Sequence, residues 1–197
     1  MRQIEITVRL TEDVKEAILK LENSGFKKIR ESDVYDIYLS NFYNEMNKEN
    51  VAEFLKHSVL LRYLKFNGKE IKKITYKNKE FDNNGNIISE QKVNLDCNDL
   101  LNADKLFKCL GFYNLIEVKY HVIVYEKDGK EFAFQIVENL GTLIEYENIN
   151  DFTGKSITEI NDTKREMVKE IKKFDISLTE EYDVKKAVEL IKKKYRL

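Results

Sequence analysis

The chain opens on a strict alternation. Ile4, Ile6, Val8 and Leu10 are apolar, while Gln3, Glu5, Thr7 and Arg9 between them are polar. This is the two-residue period of a strand with one buried face. The period then changes: Val14, Ile18 and Leu21 recur at helical spacing behind Thr11, a capping residue, and Asn23-Ser24-Gly25-Phe26 supplies a stop. Segments 33–40, 58–66, 70–77, 86–95, 117–126, 131–138 and 142–147 read as further strands. Asn67-Gly68 and Asp128-Gly129 predict hairpins, because both residues tolerate positive φ, and Asn83-Asn84-Gly85 predicts a longer turn. Hairpins impose antiparallel pairing. Many short antiparallel strands with few helices predict a barrel or a sandwich.

The order strand, helix, Gly-Phe, strand occurs twice. Val8-Arg9-Leu10 leads through a helix to Ser24-Gly25-Phe26, and Val93-Asn94-Leu95 leads through a helix around Leu100 to Leu110-Gly111-Phe112. Two similar halves can close one barrel between them. Residues 156–197 read as charged helices packed outside, with Met167, Ile171 and Phe174 as one stripe and Val184, Val188 and Ile191 as another. No Gly/Pro/Ser linker divides the sequence, so 1–197 reads as one domain.

Composition narrows the class. The 197 residues suffice for a core. Lys and Arg number 34 against 35 Asp and Glu, so there is no global basic field for nucleic acid or anionic lipid, and an anion site must be built from local cations. No apolar run reaches membrane-spanning length, and the N-terminus enters a strand directly without a signal peptide; a cytoplasmic protein is expected. Cys97 and Cys109 fit buried free thiols in a reducing compartment, Cys109 lying on the apolar stripe of its helix. With only His57 and His121 beside them, they do not supply a zinc set.

Charged residues recur at alternate strand positions. Glu5 and Arg9 share a face, as do Asp36 and Tyr38; Lys73, Thr75 and Lys77; Glu90 and Lys92; Lys119 and His121; and Glu145 and Glu147. Apolar rows stand opposite, among them Ile37 and Leu39, Ile74 and Tyr76, Val122 and Val124, and Ile144 and Tyr146. If helices cover the apolar rows, the polar rows face inward, and a barrel of about eight strands has room for one small ligand. Cations in such a lining neutralise phosphate oxygens, and carboxylates hold Mg²⁺ or Mn²⁺. The competing arrangement is a sandwich with wet outer faces.

The order of these residues resembles the CYTH superfamily, the triphosphate tunnel metalloenzymes, a group that includes class IV adenylate cyclases, thiamine triphosphatases and inorganic tripolyphosphatases. The likeness runs from the first strand to about residue 150. The opening Glu-x-Glu-x-Lys-x-Arg of that family appears as Gln3-Ile4-Glu5-Ile6-Thr7-Val8-Arg9. Asp-x-Tyr is matched by Asp36-Ile37-Tyr38, Leu-Arg by Leu61-Arg62, and Thr-Tyr-Lys by Thr75-Tyr76-Lys77. The family's next Glu-x-Glu reads Glu90-Gln91-Lys92-Val93-Asn94, its Lys-x-Arg is echoed by Lys119-Tyr120-His121, and its late Asp falls near Gln135. The closing Gly-x-Phe-x-Glu-x-Glu is close to complete as Gly141-Thr142-Leu143-Ile144-Glu145-Tyr146-Glu147.

The resemblance implies an α+β fold: a closed antiparallel β-barrel, or tunnel, of about eight strands with helices outside. It implies Mg²⁺ or Mn²⁺ held by the catalytic acids Glu5, Glu145 and Glu147, with Asp36 or Glu90 assisting. Arg9, Arg62, Lys77, Lys119 and, at a family base position, His121 would bind phosphate. The substrate would be ATP, thiamine triphosphate or tripolyphosphate, hydrolysed by water or, for ATP, cyclised by its own ribose hydroxyl. Gln3, Thr7, Lys92, Asn94 and Gln135 depart from the pattern and keep a second reading open: a module that binds a nucleotide or polyphosphate without turnover. A third is a protein that keeps the fold without the ligand. Neither nucleic acid nor membrane is an expected partner; a homodimer is compatible with the pattern.

Two motifs are set aside. Thr153-Gly154-Lys155-Ser156 resembles the end of a P-loop, but Ile149 stands where its first glycine belongs. Asp82-Asn83-Asn84-Gly85-Asn86 resembles a calcium loop, but Val93 stands at the terminal Glu position. The Lys192-Lys193-Lys194 run reads as a solvated helix end favourable to the dipole.

Overall fold

The structure, a computed structural model, describes residues 4–148, apart from 82–86, and residues 150–197; over 80–81 and 87–90 it describes backbone alone. Gln3, the Asn83-Asn84-Gly85 turn, the calcium-like loop, Ile149 and the Glu90 side chain lie outside the described residues. The chain forms β1 (Ile4–Arg9), α1 (Val14–Asn23), β2 (Lys27–Ser40), β3 (His57–Phe66), β4 (Lys69–Phe81), β5 (Ile87–Asp96), α2 (Leu100–Cys109), β6 (Tyr113–Lys127), β7 (Lys130–Val137), β8 (Gly141–Asn148), α3 (Ile157–Lys172) and α4 (Lys186–Tyr195). The strands make one 8-stranded sheet in the order β1-β8-β7-β6-β2-β3-β4-β5, with antiparallel ladders. The α+β class and strand number match the sequence expectation. No ladder joins β5 to β1 among the described residues. Both hairpin dipeptides take positive φ, at 48° and 73° for Asn67-Gly68 and 52° and 77° for Asp128-Gly129.

The chain divides into two compact units. Unit 1 comprises Met1–Glu31, His121–Val137 and Gly141–Val184, and unit 2 comprises Ser32–Tyr120, Glu138–Leu140 and Lys185–Leu197.

In unit 1 the apolar rows Ile4, Ile6 and Val8 of β1, Phe132 and Phe134 of β7, and Ile144 and Tyr146 of β8 pack with Ala17 and Leu21 of α1 and with Ile160, Met167, Val168 and Ile171 of α3. Asp13, not Thr11, is the N-cap of α1: its Oδ1 accepts from the Lys15 N–H at 2.8 Å. The second edge of β1 is covered by residues 177–184. Thr7 N–H donates to Tyr182 O at 3.1 Å, and the N–H groups of Val184 and Thr179 donate to Thr7 O and Arg9 O at 2.9 and 3.0 Å. Covering an edge in this way removes a template for aggregation. Buried Lys164 anchors the strap through both Asp183 oxygens at 2.8 Å. The P-loop-like stretch is a helix start: Ser156 and Glu159 form a capping box at α3.

In unit 2 Leu39, Val59 and Leu61 pack with Ala103, and with Ile37, Ile74, Leu100 and Phe107 around them. The buried side of α2 is thus Leu100, Ala103 and Phe107. Cys109 turns away from that side and is exposed, and Cys97 is half-buried, which corrects the expectation of two buried thiols. The buried residues of α4 are Ala187, Leu190 and Ile191. The stripe expected from Val184, Val188 and Ile191 fails because Val184 precedes the helix. Nor is the lysine run merely solvated: Lys193 and Lys194 donate to Asn139 O and Leu115 O at 2.8 and 3.1 Å.

The internal repeat is physical. After α1, Gly25 (φ 89°) donates to Glu22 O and Phe26 to Leu21 O; after α2, Gly111 (φ 87°) donates to Lys108 O and Phe112 to Phe107 O. Both are Schellman caps, which need a left-handed residue at the glycine. In unit 2 the accompanying apolar contact is the Phe107–Phe112 ring pair at 5.5 Å.

Candidate functional site: two polar strand faces

In unit 1, α1 and α3 cover one face of the strands, and in unit 2, α2 covers one face. The other face carries most of the expected site residues.

In unit 1 that face holds Glu5, Thr7 and Arg9 of β1, Glu145 and Glu147 of β8, and Gln135 of β7. Glu5 stands in register with Glu147, Thr7 with Glu145 and Arg9 with Leu143. Two carboxylates directly opposite repel, unless a cation relieves them. Gln135 Nε2 donates to Glu145 Oε2 at 2.6 Å, so the amide at the family's acid position uses one oxygen of an expected ligand. No cluster of three or more His, Cys, Asp or Glu side chains placed to hold a metal ion occurs among the described residues. The donor set nevertheless suits Mg²⁺, which is commonly held by one or two carboxylates with water and substrate oxygens completing its shell.

In unit 2 the strand rows read across the ladders. Asp36, Arg62, Lys73 and Asp96 form one row. Tyr38, Leu60, Thr75 and Asn94 form the next, with the Thr75 hydroxyl donating to Asn94 Oδ1 at 2.7 Å. Ser58, Lys77 and Lys92 form a third, with the two lysines in register. In the adjoining row the backbone of Glu90 is in register with Lys79.

Arg62 is held by three hydrogen bonds. Its Nε and Nη2 donate to the two oxygens of Asp36 at 2.7 and 2.8 Å, and Nη2 also donates to the Tyr120 hydroxyl at 3.0 Å. That hydroxyl donates to Asp36 Oδ2 at 3.1 Å. Asp36 is 0% exposed, and Arg62's side chain keeps 32% of its surface open. Burial works against the charged guanidinium, but the Asp36 hydrogen bonds and the neighbouring Tyr120 outweigh it, so Arg62 is held above its ordinary pKa. Asp36 therefore serves as the counter-ion of Arg62.

Lys119 and His121 are placed otherwise than expected. On β6 the buried residues Val118 and Tyr120 alternate with exposed Glu117 and Lys119. Tyr120 is the residue that joins Asp36 and Arg62. Lys119 lies on the other face, its Nζ 5.4 Å from the centre of the Tyr35 ring, whose hydroxyl donates to Glu117 at 2.7 Å. In unit 1, Ile123 and Tyr125 pack into the helix-covered core, and His121 shares their side of the strand, with Nε2 2.9 Å from Glu31 Oε1. The expected register was one residue out: the two-residue period shows which residues share a face, not which face the helices cover.

Tyr120 and Lys186 were not picked out from the sequence. Lys186, in α4, has its Nζ 4.0 Å from the Tyr120 ring centre. No local motif marks this pair, which forms only once α4 has docked. Tyr120 could have been found from the alternation Val118, Tyr120, Val122.

No family model matches the chain. A protein of Methanocaldococcus jannaschii, provisionally named an adenylate cyclase, is 26% identical over 180 residues, covering 90% of this chain and 91% of that one. The fold is shared with the PH1819 protein of Pyrococcus horikoshii at TM-score 0.72 and 19% identity, covering 98% and 99% of the two chains. It is also shared with HpAC1 of Hippeastrum, described as an adenylyl cyclase candidate with a dominant triphosphatase activity. That match has TM-score 0.59 and 14% identity and covers 98% and 96% of the chains. These likenesses bear out the resemblance to the CYTH superfamily that was read from the strand motifs. No helix among the described residues is long and apolar enough to cross a membrane.

Proposed function

We propose that the protein is a metal-dependent enzyme acting on a triphosphate-containing small molecule, by hydrolysis or by cyclisation of ATP. One observation carries this reading: on a strand face away from α2, Arg62 is fixed by Asp36 and Tyr120 in line with Lys73, while Lys77 stands opposite Lys92. Cations gathered there, in a chain of net charge −1, support a local anion site of the kind the composition calls for. The names of the M. jannaschii relative and of HpAC1 support the substrate class.

Glu5 and Glu147, with Glu145 beside them on the same face, would hold Mg²⁺ or Mn²⁺, and the metal would neutralise phosphate charge and activate the attacking oxygen. Arg62 presents a pre-aligned guanidinium to phosphate oxygens, and Lys77 and Lys92 add mobile point charges. Arg9 lies on the acidic face of unit 1 and offsets part of its charge. Lys119 and His121, on the other side of β6, are given no role.

The Gln135–Glu145 hydrogen bond and the ammonium of Lys92 favour a second reading, in which the same faces bind a nucleotide or polyphosphate without turnover. Incubation of the purified protein with ATP, tripolyphosphate and thiamine triphosphate, each with Mg²⁺ or Mn²⁺, separates the two. Turnover abolished by Glu145→Gln is the expected result. Tight binding without turnover establishes the second reading, and absence of any binding sinks both.

A further inference from the structure

Tyr120 belongs to neither the acids nor the cations expected from the strand motifs, yet it touches Arg62, Asp36 and Lys186. Its hydroxyl accepts from Arg62 Nη2 at 3.0 Å and donates to Asp36 Oδ2 at 3.1 Å. Its ring receives the Lys186 ammonium at 4.0 Å. Asp36 alone binds Arg62 bidentately through Nε and Nη2. The Tyr120 bond adds a third constraint from another strand and fixes the plane of the fork, and Nη1 takes no part in any of these bonds. Lys186 begins α4, where a cation opposes the helix dipole. Contact with an aromatic face offsets that cost and restricts where the ammonium sits.

We propose that Tyr120 is a positioning residue, its hydroxyl locking Arg62 and its ring seating Lys186, so that Arg62 Nη1 and the Lys186 ammonium grip one phosphoryl group of the substrate together. This inference rests on the triphosphate reading and adds to it a residue from β6 and one from the C-terminal helix. Single phosphoryl groups are well matched by one guanidinium edge and one ammonium, because the first supplies direction and the second charge.

The test is calorimetric titration of tripolyphosphate, with Mg²⁺ and separately with EDTA, into wild type, Tyr120→Phe, Tyr120→Leu, Lys186→Met and the Tyr120→Leu/Lys186→Met double variant. Melting curves on each variant report folding. Tyr120→Phe keeps the ring and loses the hydroxyl, and should weaken binding roughly three- to ten-fold. Tyr120→Leu should weaken it further, because the ring contact to Lys186 is lost too. Lys186→Met should cost affinity in the wild-type background and little in the Tyr120→Leu background, since the lysine is then already unseated. Wild-type affinity in both Tyr120 variants, with only the melting temperature lowered, overturns the proposal and leaves the triphosphate reading standing if Arg62→Ala, titrated alongside them, abolishes binding. Full additivity of the double variant overturns the coupling to Lys186. If Tyr120→Leu does not fold, Tyr120→Phe carries the test. Failure of wild type to bind tripolyphosphate overturns both readings.

Discussion

The polar faces of the two units handle charge in opposite ways. Unit 2 buries Asp36 completely and supplies Arg62 and Tyr120 around it, so the Asp36–Arg62 pair is compensated within the fold. Unit 1 sets Glu5 directly opposite Glu147, with Glu145 further along the same strand. The first is a closed ion pair, and the second sets like charges in register. The first should therefore govern stability and the second should govern response to metal. Asp36→Ala gives the largest effect expected from this contrast. It strands a mostly buried guanidinium, and the unfolding free energy should fall by about 3 kcal/mol, the low end for a broken buried pair because Arg62 is partly open to water. Urea denaturation of variant and wild type measures this, and a loss under 1 kcal/mol would show that Arg62 finds its compensation elsewhere.

Much of the fold was legible in the sequence because local chemistry dictates it. Alternation located every strand, Asn-Gly and Asp-Gly placed the β3–β4 and β6–β7 hairpins, and the paired Gly-Phe stops became twin Schellman caps. Local chemistry reached less far where the outcome depended on what packs behind. Thr11 and Asp13 are both good caps, and α1 starts behind Asp13. Cys109 looked buried on a helical stripe, but α2 turns Ala103 and Phe107 inward. The site followed the same rule. Glu5, Arg9, Asp36, Arg62, Lys77, Glu145 and Glu147 were placed on polar faces by their own strands' alternation. Lys119 and His121 were misread because both rows of β6 contain apolar residues. Tyr120 and Lys186 meet only through tertiary packing.

Two tyrosines, one in each unit, are the control for this contrast. The Tyr35 hydroxyl donates to Glu117 and the Tyr125 hydroxyl to Glu22, at 2.7 and 2.8 Å. Burial first, and then the adjacent carboxylate, pushes each up to about 12. The neutral phenol is thus favoured by folding. Its stabilisation is fully present below the unfolded value near 10 and is lost as pH rises through about 12. After allowance for solvent contact it is worth roughly 1–2 kcal/mol for each tyrosine. Absorbance titration should show a late-ionising class that Tyr35→Phe and Tyr125→Phe reduce alike. Ionisation of either near 10 would break the symmetry.

The charge row of β4 and β5 gives a smaller effect. Lys77 and Lys92 carry like charges in register, and Lys92→Glu, which makes that pair one of opposite charge, should raise apo stability by a few tenths of a kcal/mol. The same change should lower tripolyphosphate affinity in EDTA about ten-fold, because it puts a carboxylate where an ammonium faced the anion. Unchanged affinity would remove Lys92 from the binding face and leave Lys77 acting without it.

Glu147→Gln is the mirror experiment in unit 1, and its sign is the sharpest test of the contrast. Removing one of two opposed carboxylates relieves repulsion worth roughly 0.2–1 kcal/mol, so in metal-free buffer the variant should be slightly more stable than wild type. With Mg²⁺ and tripolyphosphate present the order should reverse. Wild type then gains the free energy of a bound cation, which the amide holds poorly, and ligand at a hundred times its dissociation constant stabilises by about 2.7 kcal/mol. A crossing of the two stability curves as metal is added is thus the expected signature. A variant less stable than wild type even without metal would mean that Glu147 is bonded within unit 1 as firmly as Asp36 is within unit 2, and the two faces would then not differ in kind.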